Sequence, residues 1–421
     1  MATASSLGVW LGETRVAELE QPRWPRIRLR YTKEALDSWP QNSPVISCSL
    51  PLARSPGDAF PFCLGLLPEG QALATMAAQA GLAANDVFGL LGRYGRDVAG
   101  ALVIGTEDPE PREGGVEPYE GTGLSEAVED LEEHPLGAHE DSELSLAGLQ
   151  DKLLLVRLPD GGWGRPLGGR PSTHILKRED TRFPGLIKAE GECLAIAHAV
   201  SLTTIETETV ELGGHSCLIV SRFDRVVDAD GEVHRIHQED LCQALGLDPS
   251  GARGRAKYEQ GTVGPSLKQA AELLDAYSAD PLAELDRLVA VVAYTVAIGN
   301  ADAHGKNLAL LHPDPETISL APLYDTVPTA LWSRLRNEAA MAIGGQVVLG
   351  DVGIEDIVRE AIRWPHPADR ARRVATETLE GMAAATDGGV VPADGQVGGL
   401  VAARTRALLA GKRAGAGETS D

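Results

Sequence analysis

The stretch that decides the reading is LVAVVAYTVAIG at 288–299, followed without interruption by NADAHGKN at 300–307. The apolar half reads as a buried helix, and the polar half reads as a loop. Leu308–Leu311 is a short apolar run, His312-Pro-Asp-Pro315 is a turn signal, and Ile318–Leu320 is a second run that ends at Leu323-Tyr324-Asp325. The pattern predicts a helix, a polar loop, a β-hairpin, and an acid just past the second strand.

Asp302 and Asn307 stand five residues apart, on either side of His304 and Lys306, and the hairpin brings Asp325 back toward them. Protein kinases use an Asp and an Asn at this spacing, the first as base for the acceptor hydroxyl and the second as a metal ligand. A further metal-binding Asp follows a hairpin. Phosphoryl transfer needs this set because its transition state spreads charge over many oxygens, so positioning and hard oxygen ligands for Mg²⁺ dominate catalysis. The bland alternative is a solvated loop between a core helix and a hairpin. The joint pattern of acids, amide and hairpin favours the chemical reading.

Outward from this stretch, the 421-residue chain is long enough for two or three lobes, and its 43% hydrophobic residues are enough for a core. A formal net charge of −23 argues against broad binding of nucleic acid or anionic membrane. Cys48, Cys63, Cys193, Cys217 and Cys242 are odd in number and have no metal-ligand spacing, which suits free thiols. The start lacks a signal-peptide pattern and the longest apolar run is too short for a bilayer, so the expected location is cytoplasmic, with no membrane partner.

Upstream, residues 7–105 read as a compact α/β unit: strands at 7–10, 14–18, 27–31 and 46–50, helical periodicity over 71–93, and a closing strand at 98–104. Residues 106–143 are an acidic connection with one short helix. The loop Leu144–Lys152 leads into a strand, and its single Gly148 is only a weak phosphate-loop signal. Lys177 closes another predicted strand, where a kinase keeps the lysine that grips the α- and β-phosphates, and Glu190 or Glu192 on the next helix is its candidate partner. Thr207–Leu212 and Ser216–Ser221 form a hairpin around Gly213-Gly214, running into a hinge-like Arg222-Phe223-Asp224-Arg225. Residues 237–246 read as a helix stopped by Gly246; 267–299 reads as helical, broken by Ala279-Asp280-Pro281, and 353–384 and 397–412 read as further helices.

Together the motifs resemble the HipA family of bacterial serine/threonine toxin kinases. They are LSLAGLQDK at 144–152, THILK at 173–177, SRFDR at 221–225, HQEDLCQALG at 237–246, KYE at 257–259, NADAHGKN at 300–307 and PLYD at 322–325, with LLPEG at 66–70 in the N-terminal module. The resemblance implies an α+β, two-lobed HipA/kinase-like fold with a mixed α/β N-lobe and an all-α C-lobe. The implied parts are an N-terminal module at 1–105, the connection at 106–143, the ATP-binding N-lobe at 144–233, a helical C-lobe at 234–412 and a disordered tail at 413–421.

It further implies that Asp302 is the general base and that Asn307 and Asp325 hold Mg²⁺. ATP would be bound by Ala147, Gly148, Leu149, Gln150, Asp151 and Lys152, by Lys177, by the hinge Ser221, Arg222 and Phe223, and by His304, Gly305, Lys306, Asn307, Tyr324 and Asp325. Ser145 matches the family's autophosphorylation serine, and Ser221 replaces the acid often found there. Family members phosphorylate aminoacyl-tRNA synthetases and are restrained by a HipB-type helix-turn-helix antitoxin, so DNA is an indirect partner. The alternatives are a small-molecule phosphotransferase and a non-catalytic regulatory partner of such an antitoxin.

Overall fold

The structure is a computed structural model and describes residues 6–106, 115–136, 145–146, 151–259 and 264–416. The fold is α+β, in two compact units. The first runs to Arg182 and adds Glu208–Asp248 and Leu311–Thr317; the second gathers Phe183–Thr207, Pro249–Leu310 and the chain from Ile318.

The first unit contains two sheets built by period-two patterning. One has the strand order Gly57–Asp58, Arg26–Tyr31, Thr14–Arg23, Ser6–Leu11, Leu102–Gly105. In Arg26–Tyr31 the arginines point to solvent while Ile27, Leu29 and Tyr31 enter the core, as alternation requires. The helices Phe60–Gly65, Gly70–Gln79 and Val87–Tyr94 add Phe62, Met76 and Leu90 to the same core. The second sheet has the order Thr207–Leu212, His215–Ser221, His174–Arg178, Lys152–Arg157, Trp163–Pro166, Val116–Pro118. Its first hairpin turns at Gly213 and Gly214, with φ of 57° and 75°, the left-handed pair that a tight two-residue turn demands.

Three local expectations change here. Residues 46–50 are not a strand but a single Ser47–Leu50 bridge, because the Ser47 hydroxyl and the Cys48 N–H both donate to the Glu239 carboxylate. Residues 71–93 hold two helices rather than one, separated by Gly81 at φ 66°. The segment 237–246 opens as the strand His237–Asp240 and only then becomes the helix Leu241–Ala244, since the Asp240 side chain caps Gln243 N–H and Gln243 returns the bond.

The second unit is mostly helical. Pro281–Ile298 is its central buried helix, capped by Asp280 and stopped by Gly299 at φ 72°. The helix Leu186–Ala199 belongs to this unit, not to the N-lobe span 144–233, because it packs on the helices Ala368–Asp387 and Gln396–Leu409. The unit is not purely α: the strands Glu338–Ile343 and Gln346–Val348 pair within it, and the hairpin Ala309–Asp314/Thr317–Leu320 springs from it. The predicted helix 353–384 is broken into Ile354–Ala361 and Ala368–Asp387, with Pro365 and Pro367 between. Residues 413–416 of the expected tail are docked, with Ala414 N–H on the Val352 carbonyl and Gly415 N–H on Gly350; the rest of that tail lies outside the described residues. Among the described residues no helix is long and apolar enough to cross a membrane. All five cysteines are buried free thiols.

Candidate active site

The loop after Pro281–Ile298 is held from several sides. The Thr329 hydroxyl donates to the Gly299 carbonyl and accepts from Ala301 N–H. The Asn300 side-chain carbonyl accepts Asp302 N–H at 3.0 Å, a local turn that Asn forms readily. The Asp302 carbonyl then takes His304 N–H at 2.8 Å and the Asn307 side-chain amide at 3.0 Å. With its Nδ2 so engaged, Asn307 has its Oδ1 to offer a cation. Tyr324, at the hairpin exit, donates its hydroxyl to the Lys306 carbonyl at 2.7 Å, which ties the exit to the loop. Asp325 follows at φ 52°, an unusual left-handed backbone for a non-glycine residue.

The electrostatics suit proton and phosphate work. Burial pushes the Asp302 carboxyl up, and the Asp325 charge adds to this, while a hydrogen bond from Tyr258 and the charges of Lys257 and Arg336 pull it down. The direction that prevails is upward, as for a poised base. Burial, helped by Lys257, pushes His304 down to about 3, so the ring is neutral. Its Nδ1 is buried without a hydrogen-bond partner among the described residues. Asn307 and Asp325 supply two hard oxygens, a donor set that fits Mg²⁺, which takes few protein ligands and relies on phosphates and water. A cavity of about 40 Å³ lined by Val291, Thr295, Asn307, Leu323, Tyr324 and Met341 is too small for a nucleotide.

The other predicted residues belong to the first unit. Lys177 is buried on His174–Arg178 and pairs in register with Lys152 on one side and Leu218 on the other. Asp151 is an ion-pair partner of Arg178 at 2.6 Å. Ala147, Gly148, Leu149 and Gln150 lie outside the described residues. Ser145 is fully buried: its hydroxyl donates to the Leu66 carbonyl at 2.9 Å and its N–H to the Asp97 carbonyl at 2.8 Å.

The hinge expectation needs correction at Arg222. Its guanidinium grips Asp224 at 2.8 and 2.9 Å, and its backbone N–H donates to the Thr173 carbonyl. Asp97 joins the same cluster, accepting from Arg225 at 2.9 Å and from the Ser172 hydroxyl at 2.7 Å. The SRFDR motif thus builds a buried ion network around Asp97, and only Ser221 and the half-buried Phe223 remain as hinge candidates. HQED is likewise structural, with Glu239 accepting from Ser47, Cys48 and His312. Glu192 lies 3.7 Å from Lys188, one turn earlier on its own helix.

The site also contains residues to which sequence reasoning gave no role. Tyr258 donates its hydroxyl to Asp302 Oδ1 at 2.7 Å, across 44 positions of sequence, and Arg336 stacks over its ring at 4.6 Å. The only signal for Tyr258 was the KYE match, which carries no spacing rule; Arg336 had none.

Comparison with known proteins places the chain in a family. Residues 144–386 match the HipA-like C-terminal domain, and residues 7–105 match the HipA N-terminal domain. The chain belongs to the HipA family. It is 38% identical to "Putative kinase Y4mE" of Sinorhizobium fredii, over 90% of this chain and 92% of that protein. It is 28% identical to the serine/threonine-protein kinase toxin HipA of Shewanella oneidensis, over 82% of this chain and 80% of that one. The solved Shewanella oneidensis complex of HipA, HipB and operator DNA contains a chain that aligns with a TM-score of 0.78 at 25% identity, covering 96% of both.

Proposed function

We propose that this chain is the toxin of a toxin–antitoxin pair, an ATP- and Mg²⁺-dependent kinase that phosphorylates a serine or threonine of an aminoacyl-tRNA synthetase and so halts translation. The observation that carries the reading is the Asp302 loop: an upward-shifted carboxylate fixed in the same turn as the amide of Asn307. Asp302 takes the proton of the acceptor hydroxyl as that oxygen bonds to the γ-phosphorus; the bond to the β,γ-bridging oxygen breaks and ADP leaves. Asn307 and Asp325 would hold Mg²⁺, which, when bound, neutralises phosphate charge. Lys177 and Lys152 hold the nucleotide phosphates, and neutral His304 donates to another phosphate oxygen.

Ser145 is the proposed self-inhibiting phosphorylation site. A phosphate adds about −1.5 to −2 charge and cannot occupy the seat under the Leu66 carbonyl, so the modified segment has to leave it. The solved relative sits with HipB on operator DNA, which supports a HipB-like antitoxin as partner here, with DNA reached through it.

The test is incubation with Mg-ATP labelled at the γ-phosphate, beside Asp302→Asn, with phosphate mapped by mass spectrometry. Label on protein serine or threonine that vanishes in the variant supports the reading. Label found only on a metabolite favours a small-molecule phosphotransferase, and the absence of ATP binding favours a non-catalytic regulatory partner.

A further inference from the structure

The KYE segment at 257–259 is a motif for which the catalytic scheme above has no use, yet each of its three residues is bonded to the machinery. The Lys257 carbonyl accepts Gly305 N–H at 3.0 Å, inside the catalytic loop. Glu259 donates its N–H to the Ala340 carbonyl at 2.9 Å and accepts Ala342 N–H on its carboxylate at 2.6 Å, which sews the segment to the strand Glu338–Ile343. Between these two anchors stands Tyr258.

The tyrosine is held as a rigid part. Its N–H donates to the Arg255 carbonyl at 3.0 Å. Its ring meets His304 edge-on, with centroids 5.2 Å apart and planes at 86°, an arrangement aromatic rings favour. The Arg336 guanidinium covers the ring at 4.6 Å, a cation–π contact. The phenol that results has little freedom, and its hydroxyl donates to Asp302 Oδ1 at 2.7 Å.

We infer that Tyr258 is a positioning residue for Asp302: its hydroxyl occupies Oδ1 and fixes the carboxylate plane, leaving Oδ2 to accept the acceptor's proton. This rests on the reading of Asp302 as base. A carboxylate on a loop otherwise rotates about its Cβ–Cγ bond, and a misplaced base loses rate without losing nucleotide. Arg336 and His304 act one step further out by fixing the ring. A purely structural tyrosine would depend on its ring alone, and a latch would hold the carboxylate away from the acceptor.

The experiment uses the full chain with γ-labelled Mg-ATP, following self-labelling and transfer to dephosphorylated casein. It compares wild type, Tyr258→Phe, Asp302→Asn and the double variant, with thermal midpoints and Mg-ATP titrations for each. Tyr258→Phe keeps the ring and its contacts and removes only the donor. We expect kcat to fall roughly tenfold to a hundredfold, with KM for ATP and the Mg-ATP Kd within about twofold of wild type. The double variant should be no slower than Asp302→Asn, because the tyrosine acts through that carboxylate. If Tyr258→Phe folds poorly, Arg336→Gln carries the test, with a smaller loss of kcat at unchanged ATP affinity. An inactive Asp302→Asn beside a Tyr258→Phe that keeps or exceeds wild-type kcat overturns this inference and leaves the base intact. An Asp302→Asn as active as wild type, or a wild type that transfers nothing, overturns the base and this inference with it.

Discussion

Lys152 and Lys177 stand directly opposite one another on neighbouring antiparallel strands. Lys177 is buried, and a strand lysine in this place is where a kinase grips nucleotide phosphates. Lys177→Met should raise the Kd for Mg-ATP at least tenfold in a chain that still melts cooperatively. Calorimetric titration and a melting curve check both, and an unchanged Kd removes the lysine from the phosphate site.

Asp325→Ala should lose the Mg²⁺-dependent part of ATP affinity and keep the part measured in EDTA. Asn307→Ala should follow it with a smaller loss, since the amide contributes a neutral oxygen. If both variants bind Mg-ATP as wild type does, the metal assignment falls.

The Asp97 network makes a prediction about stability. Asp97 lies among Arg222, Arg225 and Arg235, with the first two guanidinium groups almost completely buried. Removing one partner from a buried cluster leaves charge uncompensated, at a cost of about 3–5 kcal/mol. Asp97→Ala should therefore lower the urea midpoint strongly, with unchanged slope. A loss below about 1 kcal/mol would contradict the packing of this cluster.

Acid should unfold the protein in a window set by buried histidine. Burial, with His312 alongside, pushes His237 down to about 3, while the nearby Glu239 and Asp224 charges and the Ile46 carbonyl pull the other way. The unfolded chain, near 6.5, binds the proton first, so this contribution is full above that pH and is lost as pH falls toward about 3. Asp97 and Asp224, held below the usual carboxylate range against the pull of burial, add a further loss at lower pH. His237→Gln should flatten the slope of urea stability between pH 6 and 4 by up to about 1.4 kcal/mol per unit. An unchanged slope would place the titration elsewhere.

Ser145→Asp should weaken Mg-ATP binding and make the chain more sensitive to protease, because a charge does not fit beneath the Leu66 carbonyl. Ser145→Ala should bind ATP normally and lose the self-label. Digestion rates and intact-mass labelling separate the two.

What the sequence determined by itself was local. Alternation in Arg26–Tyr31, the Gly213-Gly214 turn, and the run of apolar residues ending at Gly299 each dictate their own element, because period and φ demands act between near neighbours. The Asp302–Asn307 spacing was legible for the same reason: both residues share one turn of backbone. Tertiary structure alone decided what distant residues do. The hinge-like Arg222 became a member of a buried ion network, since Asp97 lies 125 positions away in sequence. The apparent helix at 237 opened as a strand whose Glu239 answers to Ser47 and His312. Tyr258 met Asp302 only because folding brings two loops together. Hydrogen bonds and ion pairs depend on distance in space, and a burial cost must be met by whichever partner the fold delivers.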